Sequence, residues 1–363
     1  MAHRIVLHIG AMKTGTSFVQ SALKADPAAL AHGGVEFLEN FGVQTRATLD
    51  LLRFGSADPS KRPHRWSELA RAARESDAET VLVSMEFLSF ARGAPVERAL
   101  AELAGLDVRV LLTVRDQTRV LPAQWQTLVR NMGTDSWADY LRAIRRKRRT
   151  RAWRTFHRAQ DVPEILDEWC TRTAVTVVTV PPPGAAPDVL WTRFCEAAGI
   201  AVPEIDLGAL RANPSLGYAS CDYLRGLNEH LPDVAPKKYR LAVRPLVRAA
   251  LVGLRSDEQR PALDRTAAEF ALDLNRRARD AVAAHGCPLV GTVDDLPVDA
   301  DLGAFPGRVE APDPAQVLRA AHAGWAYAAR LDGGAVPPDG PPTDLAATLR
   351  DTARRLTSSH DWA

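Results

Sequence analysis

The chain has 363 residues, 46% of them hydrophobic, and a formal charge of only +2: enough apolar mass for a sizeable core, and no overall charge excess to hold nucleic acid. Its four cysteines, Cys170, Cys195, Cys221 and Cys287, are far apart and form no CxxC pair, so neither structural zinc nor a disulfide framework is expected and a reducing compartment fits. No charged or apolar leader precedes Arg4, and no apolar run nears the roughly 20 residues of a membrane helix, so the expectation is a soluble, cytoplasmic protein without a membrane span.

The first element is a strand at Ile5–Ile9. Phe18, Val19, Ala22 and Leu23 then recur at helical spacing. Further strands follow at Val81–Met85, Val108–Val114 and Val175–Val180, each rich in Val, Leu or Ile, as strands covered on both faces are. Leu121, Trp125 and Leu128 mark a helix after the third strand; Val189, Leu190, Phe194 and Cys195 mark one after the fourth. Strands alternating with helices predict an α/β fold, a parallel sheet flanked by helices with ligands at the carboxyl ends of the strands. Residues 215–286 read as mainly helical, for example at Tyr223, Leu224 and Leu227. Pro181–Gly184 and Gly333–Pro342 are loop signals. The expected organisation is an α/β core over 1–230, a helical extension over 231–330, and a linker with a short helix over 331–363.

The strongest local signal is His8-Ile9-Gly10-Ala11-Met12-Lys13-Thr14-Gly15-Thr16-Ser17. It lies between a strand and an amphipathic helix, where free backbone N–H groups and the positive end of the helix dipole favour an anion. Gly10 and Gly15 let the backbone curl, and Thr14, Thr16 and Ser17 add hydroxyls. The loop is P-loop-like but departs from GxxxxGK[ST], which requires lysine at position 16. Position 16 is threonine, and the lysine stands in mid-loop as Lys13.

That string resembles the 5′-phosphosulfate loop of the sulfotransferase family, in the form of its bacterial branch. Val114-Arg115-Asp116 is similar to the family's strand end, whose arginine binds the cofactor's 3′-phosphate together with a serine eight residues on. Here that position is Ala123; Arg119 and Gln124 are the alternative donors. Val178–Gly184, Leu190–Cys195 and Asn213-Pro214-Ser215-Leu216 continue the resemblance, which covers about residues 1–230. It implies a P-loop-like sheet, 3′-phosphoadenosine 5′-phosphosulfate as donor, adenosine 3′,5′-bisphosphate as product, no metal, and a small-molecule or carbohydrate acceptor, with nucleic acid not among the partners. It further implies in-line sulfuryl transfer in which Lys13 meets the charge on the bridging oxygen and a base takes the acceptor's proton. Glu86, just after the second long strand, is the first candidate base. Glu36 is the second, at a spacing from Lys13 comparable to a basic glutamate of related carbohydrate sulfotransferases. His8 is the third.

The stretch Arg142 to Arg158 holds Arg145, Arg146, Lys147, Arg148, Arg149, Arg151 and Arg154 beside Trp153, Phe156 and His157. A gate for an acidic or polar acceptor, a nucleic-acid contact and a solvated helix face or mobile loop all remain open for it. Two readings compete with transfer of a sulfuryl group: a nucleotide-dependent kinase of the P-loop class, and a non-catalytic nucleotide-binding protein.

Overall fold

The structure, a computed structural model, describes residues 3–52, 65–146, 150–210, 215–331, 337 and 339–358. Lys147, Arg148, Arg149, Asn213, Pro214 and part of the expected loop at 333–342 lie outside the described residues. Six strands form one parallel sheet: β1 (Arg4–His8), β2 (Val35–Phe37), β3 (Thr80–Ser84), β4 (Asp107–Val114), β5 (Ala174–Thr179) and β6 (Leu289–Val290), in the order β2-β3-β1-β4-β5-β6. The helices are α1 (Thr16–Ala25), α2 (Pro27–His32), α3 (Phe41–Leu51), α4 (Arg65–Glu75), α5 (Ala94–Ala101), α6 (Gln117–Val129), α7 (Trp137–Arg145) and α8 (Arg151–Gln160). They continue with α9 (Val162–Cys170), α10 (Val189–Ala198), α11 (Tyr218–Glu229), α12 (Pro236–Leu246), α13 (Arg265–Ala284), α14 (Pro314–Leu331) and α15 (Leu345–Ser358).

Two compact units emerge. The first comprises Met1–Val120, Arg154–Ala212 and Phe270–Ala300; the second comprises Leu121–Trp153, Asn213–Glu269 and Asp301–Ala363. The division thus interleaves along the chain instead of following the consecutive blocks read from the sequence. Residues 270–300, expected in a helical extension, supply the edge strand β6, which pairs with β5 at Val177 and Val178.

In the first unit, side chains alternate between two apolar layers, as the strand period requires. Ile5, Leu7 and Ile9 of β1 and its exit join Val81, Val83, Val110 and Leu112 against Leu51, Trp66, Leu69, Ile165 and Trp169. Val6, Leu82, Leu111 and Val178 face the other way, against Val19, Leu23, Leu30, Trp191 and Phe194. Burial on both faces explains why these strands read as unbroken apolar runs. The remote cysteines Cys170 and Cys287 meet here, with Sγ atoms 3.3 Å apart.

The second unit is helical. Its core is aromatic: Trp125 lies 5.5 Å from Trp137 and 5.7 Å from Tyr218 between ring centres. Asn228 of α11 donates to Val129 O and Gly133 O, both at 2.8 Å, and accepts from Tyr239 Oη of α12 at 2.7 Å. These bonds satisfy a carbonyl left open at the end of α6 and one in the turn that follows it. Among the described residues no helix is long and apolar enough to cross a membrane.

Candidate active site

β1 lies between β3 and β4, where the strand order reverses; open parallel sheets bind ligands at such a switch point. The loop Gly10–Gly15 leaves from there. Gly10 takes a φ of +70°, and a Cβ on it would stand 2.9 Å from Thr16 Cγ2 and 3.0 Å from Glu86 Cβ. Glycine is therefore required twice, by conformation and by the approach of Glu86. Lys13 and Gly15 also have positive φ, 67° and 85°.

Three successive loop carbonyls are held by side chains. Thr14 Oγ1 donates to Ala11 O at 2.5 Å, Gln160 Nε2 to Met12 O at 2.6 Å, and Arg115 Nη1 to Lys13 O at 3.1 Å. The Ala11 amide donates to Thr113 O at 2.8 Å; with three carbonyls anchored in the protein, the amides after Ala11 form the polar edge an anion can use. α1 continues that edge: its N-cap is Gly15, no side chain caps it, and its first turn holds no acidic residue. Nothing on the helix competes with an anion for the first N–H groups.

Behind the loop runs a buried polar chain. Thr14 gives its hydrogen to Ala11 O, so Thr113 must donate in the 2.6 Å bond between the two threonine hydroxyls. Thr113 then accepts from His8 Nε2–H at 3.2 Å, and His8 Nδ1 accepts from Ser84 Oγ at 2.7 Å. Every hydrogen has one place to go, and the chain selects a neutral His8 with its proton on Nε2. Burial pushes the His8 imidazole down to about 3. His8 also meets Phe194 edge-on at 5.1 Å. With both nitrogens occupied inside the sheet, His8 is a structural residue and not an acceptor base. Thr14 is likewise fully buried: its hydroxyl fastens the loop, and it can serve an anion only through its backbone.

Glu86 follows β3 at the same edge. In register, Ser84 stands opposite His8, which puts Glu86 beside Gly10. Its carboxylate accepts from Gln20 Nε2 of α1 at 3.3 Å, while the same amide donates to Ser84 O at 2.9 Å. Glu36 is elsewhere. It pairs with Val81, which pairs with Ile5, three residues or about 10 Å short of the strand end that opens into the loop. Its carboxylate accepts from Ser76 Oγ.

Arg115 ends up clamping the loop, as its bond to Lys13 O shows. Arg119 donates to Pro181 O at 2.8 Å, linking the start of α6 to the exit of β5. Thr16 is buried and Ser17 exposed at the start of α1. Gln124 and Ala123 belong to the second unit; Gln124 is buried, and its Nε2 has no hydrogen-bond partner among the described residues. Asp116 is absorbed structurally, accepting from Thr118 N and Asn275 Nδ2, both at 2.9 Å. Two members of the basic stretch have defined partners within their own units. Arg142 pairs with Asp139 at 2.6 Å, and Arg158 lies over the Phe90 ring at 5.3 Å.

Gln20 and Gln160 are the site residues that sequence reasoning missed. Gln160 is 148 residues from the carbonyl it holds, and a lone glutamine near a helix end carries no signal of that contact.

The fold and loop define a P-loop-like α/β protein with the loop Gly10–Gly15 at the carboxyl end of β1. No protein-family model and no curated protein matches the chain. Among solved structures, a sulfotransferase from Alicyclobacillus acidocaldarius is similar to it, at 16% identity and a TM-score of 0.40 over 65% of this chain and 94% of that one.

Proposed function

We propose that this protein is a sulfotransferase that moves a sulfuryl group from 3′-phosphoadenosine 5′-phosphosulfate to a hydroxyl or amine of a small molecule or carbohydrate. The observation that carries the reading is the mid-loop lysine in an anion loop whose carbonyls are tied back and whose helix start is uncapped. The donor set suits a 5′-phosphosulfate: amide N–H groups for the phosphate oxygens and one ammonium for the bridging oxygen. Bound there, the donor supplies an activated sulfuryl group. The loop amides and the first turn of α1 orient it, Lys13 offsets charge that develops on the leaving oxygen, and Glu86 receives the acceptor's proton. Gln20 holds the Glu86 carboxylate against α1. Catalysis of this kind rests on positioning and charge, as in phosphoryl transfer. Arg115 and Arg119 are the proposed contacts to the 3′-phosphate.

A thermal-shift series tests the reading. Adenosine 3′,5′-bisphosphate should raise Tm without added metal, since a ligand at a hundredfold excess over its Kd stabilises the native state by about 2.7 kcal/mol. A shift with ATP and Mg²⁺ but none with the bisphosphate overturns it and favours a kinase.

A further inference from the structure

Helix α12 and the turn after it carry a row of cations with no acidic residue among them. From Pro236 to Arg255 the chain holds Lys237, Lys238, Arg240, Arg244, Arg248 and Arg255 and no Asp or Glu. Several other helical arginines pair with an acidic neighbour one turn away: Arg142 with Asp139, Arg225 with Asp222 and Glu229, Arg276 with Asp273, Arg355 with Asp351. Such pairs are how a merely solvated helix face is usually balanced. Arg240, Arg244 and Arg248 have only Pro, Lys, Arg, Val and Leu three and four residues away.

The cations also share a side. Tyr239, Ala242, Val243 and Leu246 are buried, whereas Lys237, Arg240, Leu241, Arg244 and Arg248 are exposed. At 3.6 residues per turn these five fall within about a third of the helix circumference. Leu241 stands among the charges with 47% of its surface exposed. Arg130, one residue past α6, adds to the field. The end of α6 is joined to α12 through Asn228 and Tyr239. Burial, and the nearby cations Arg244 and Arg248, lower the Arg130 pKa. Guanidinium groups gathered without a carboxylate favour an external anion.

We infer that this face of α12 docks on an anionic lipid bilayer, with Lys237, Arg240, Arg244 and Arg248 over the headgroups and Leu241 entering the interface. A cationic row on one side, around a projecting apolar side chain, matches charged headgroups above hydrocarbon. A nucleic acid would call for exposed rings on which bases stack, and the one aromatic of α12, Tyr239, is buried.

Co-sedimentation of the whole protein with sucrose-loaded vesicles tests this. It should pellet with phosphatidylcholine vesicles that contain phosphatidylglycerol, not with phosphatidylcholine alone, and added salt should release it. Arg244→Gln should weaken the partition about fivefold. K237E/R240E/R244E/R248E should abolish it with an unchanged circular dichroism spectrum; if that variant misfolds, R244Q/R248Q should weaken binding about 25-fold by the same reckoning. Leu241→Ser should weaken vesicle binding severalfold and leave retention on heparin unchanged. Equal pelleting of wild type and charge variants, or no pelleting with phosphatidylglycerol, overturns the inference. Heparin or DNA binding without vesicle binding overturns it in favour of a soluble polyanion.

Discussion

Replacing His8 by phenylalanine isolates the buried chain behind the loop. Phenylalanine keeps a ring against Phe194 and removes both nitrogens. Two hydrogen bonds go, and the Ser84 hydroxyl, inside a residue only 1% exposed, loses its acceptor. At about 1 kcal/mol for each lost bond, plus the cost of leaving a buried hydroxyl unpaired, the expected loss near pH 7 is about 3 kcal/mol. The loss should shrink in acid. His8 is held down to about 3 in the folded state from an ordinary value of 6.5, so the unfolded chain takes up the proton first. The stability tied to neutral His8 is complete above 6.5 and falls away as pH drops from 6.5 towards 3. Linkage sets the drop at about 2 kcal/mol between pH 7 and pH 5. Wild type bears that drop and His8→Phe does not, so the gap between them should narrow from about 3 to about 1 kcal/mol. Urea unfolding of both proteins at the two pH values measures it; a gap that stays constant refutes the burial and the single-tautomer chain alike.

Lys13→Ala should leave the fold intact and lower turnover at least ~10²-fold, as loss of a charge aimed at the leaving oxygen does; near-normal turnover with any accepted substrate removes the role. Glu86→Gln should lower turnover strongly with bisphosphate affinity almost unchanged, and Glu36→Gln, remote from the loop, should do little; the reverse order reassigns the base. Arg115→Ala frees the Lys13 carbonyl, so it should weaken both adenosine 5′-phosphate and adenosine 3′,5′-bisphosphate in calorimetric titrations. The bisphosphate should lose about tenfold more, the scale of a charge-assisted phosphate contact; equal losses assign Arg115 to the loop clamp alone.

The four long strands were legible because both faces of each are covered, which writes an unbroken apolar run. β2 and β6 were not. They are three and two residues long, too short for any period to register, and only pairing with a neighbour makes them strands. The interleaved units were illegible for a related reason: return of residues 270–300 to the sheet depends on contacts such as Gln117 N to Asn275 Oδ1, 158 residues apart. At the site, the anion loop is a local motif and could be read as one. The roles of its members could not. His8 in an apolar strand looked like chemistry and is a buried hydrogen-bond relay between three strands. Thr14 looked like a ligand hydroxyl and is a fastener. Arg115 reads as a phosphate contact in the sequence, where nothing shows that its guanidinium also donates to the main chain at Lys13 O.

Those reassignments have a common physical sense. A loop that presents amides to an anion must keep its carbonyls turned away, against their tendency to hydrate, and it must hold Lys13 at a positive φ that costs a non-glycine residue of order 1–3 kcal/mol. Each anchored carbonyl opposes relaxation of that geometry, and each anchor comes from a different element: Thr14 within the loop, Arg115 after β4, Gln160 at the end of α8. The anchors order the amides before any ligand arrives, so less binding energy is consumed in shaping the loop. Gln160 separates this view from one in which the backbone conformation suffices. It contacts the main chain at Met12 O, so Gln160→Ala should slow bisphosphate association and weaken its affinity several-fold. Gln160→Glu cannot donate to Met12 O, sets two acceptors against each other, and should be worse than alanine. Stopped-flow binding of the bisphosphate to the three proteins gives that order, or, if all three bind alike, shows that the loop holds its shape without the anchor.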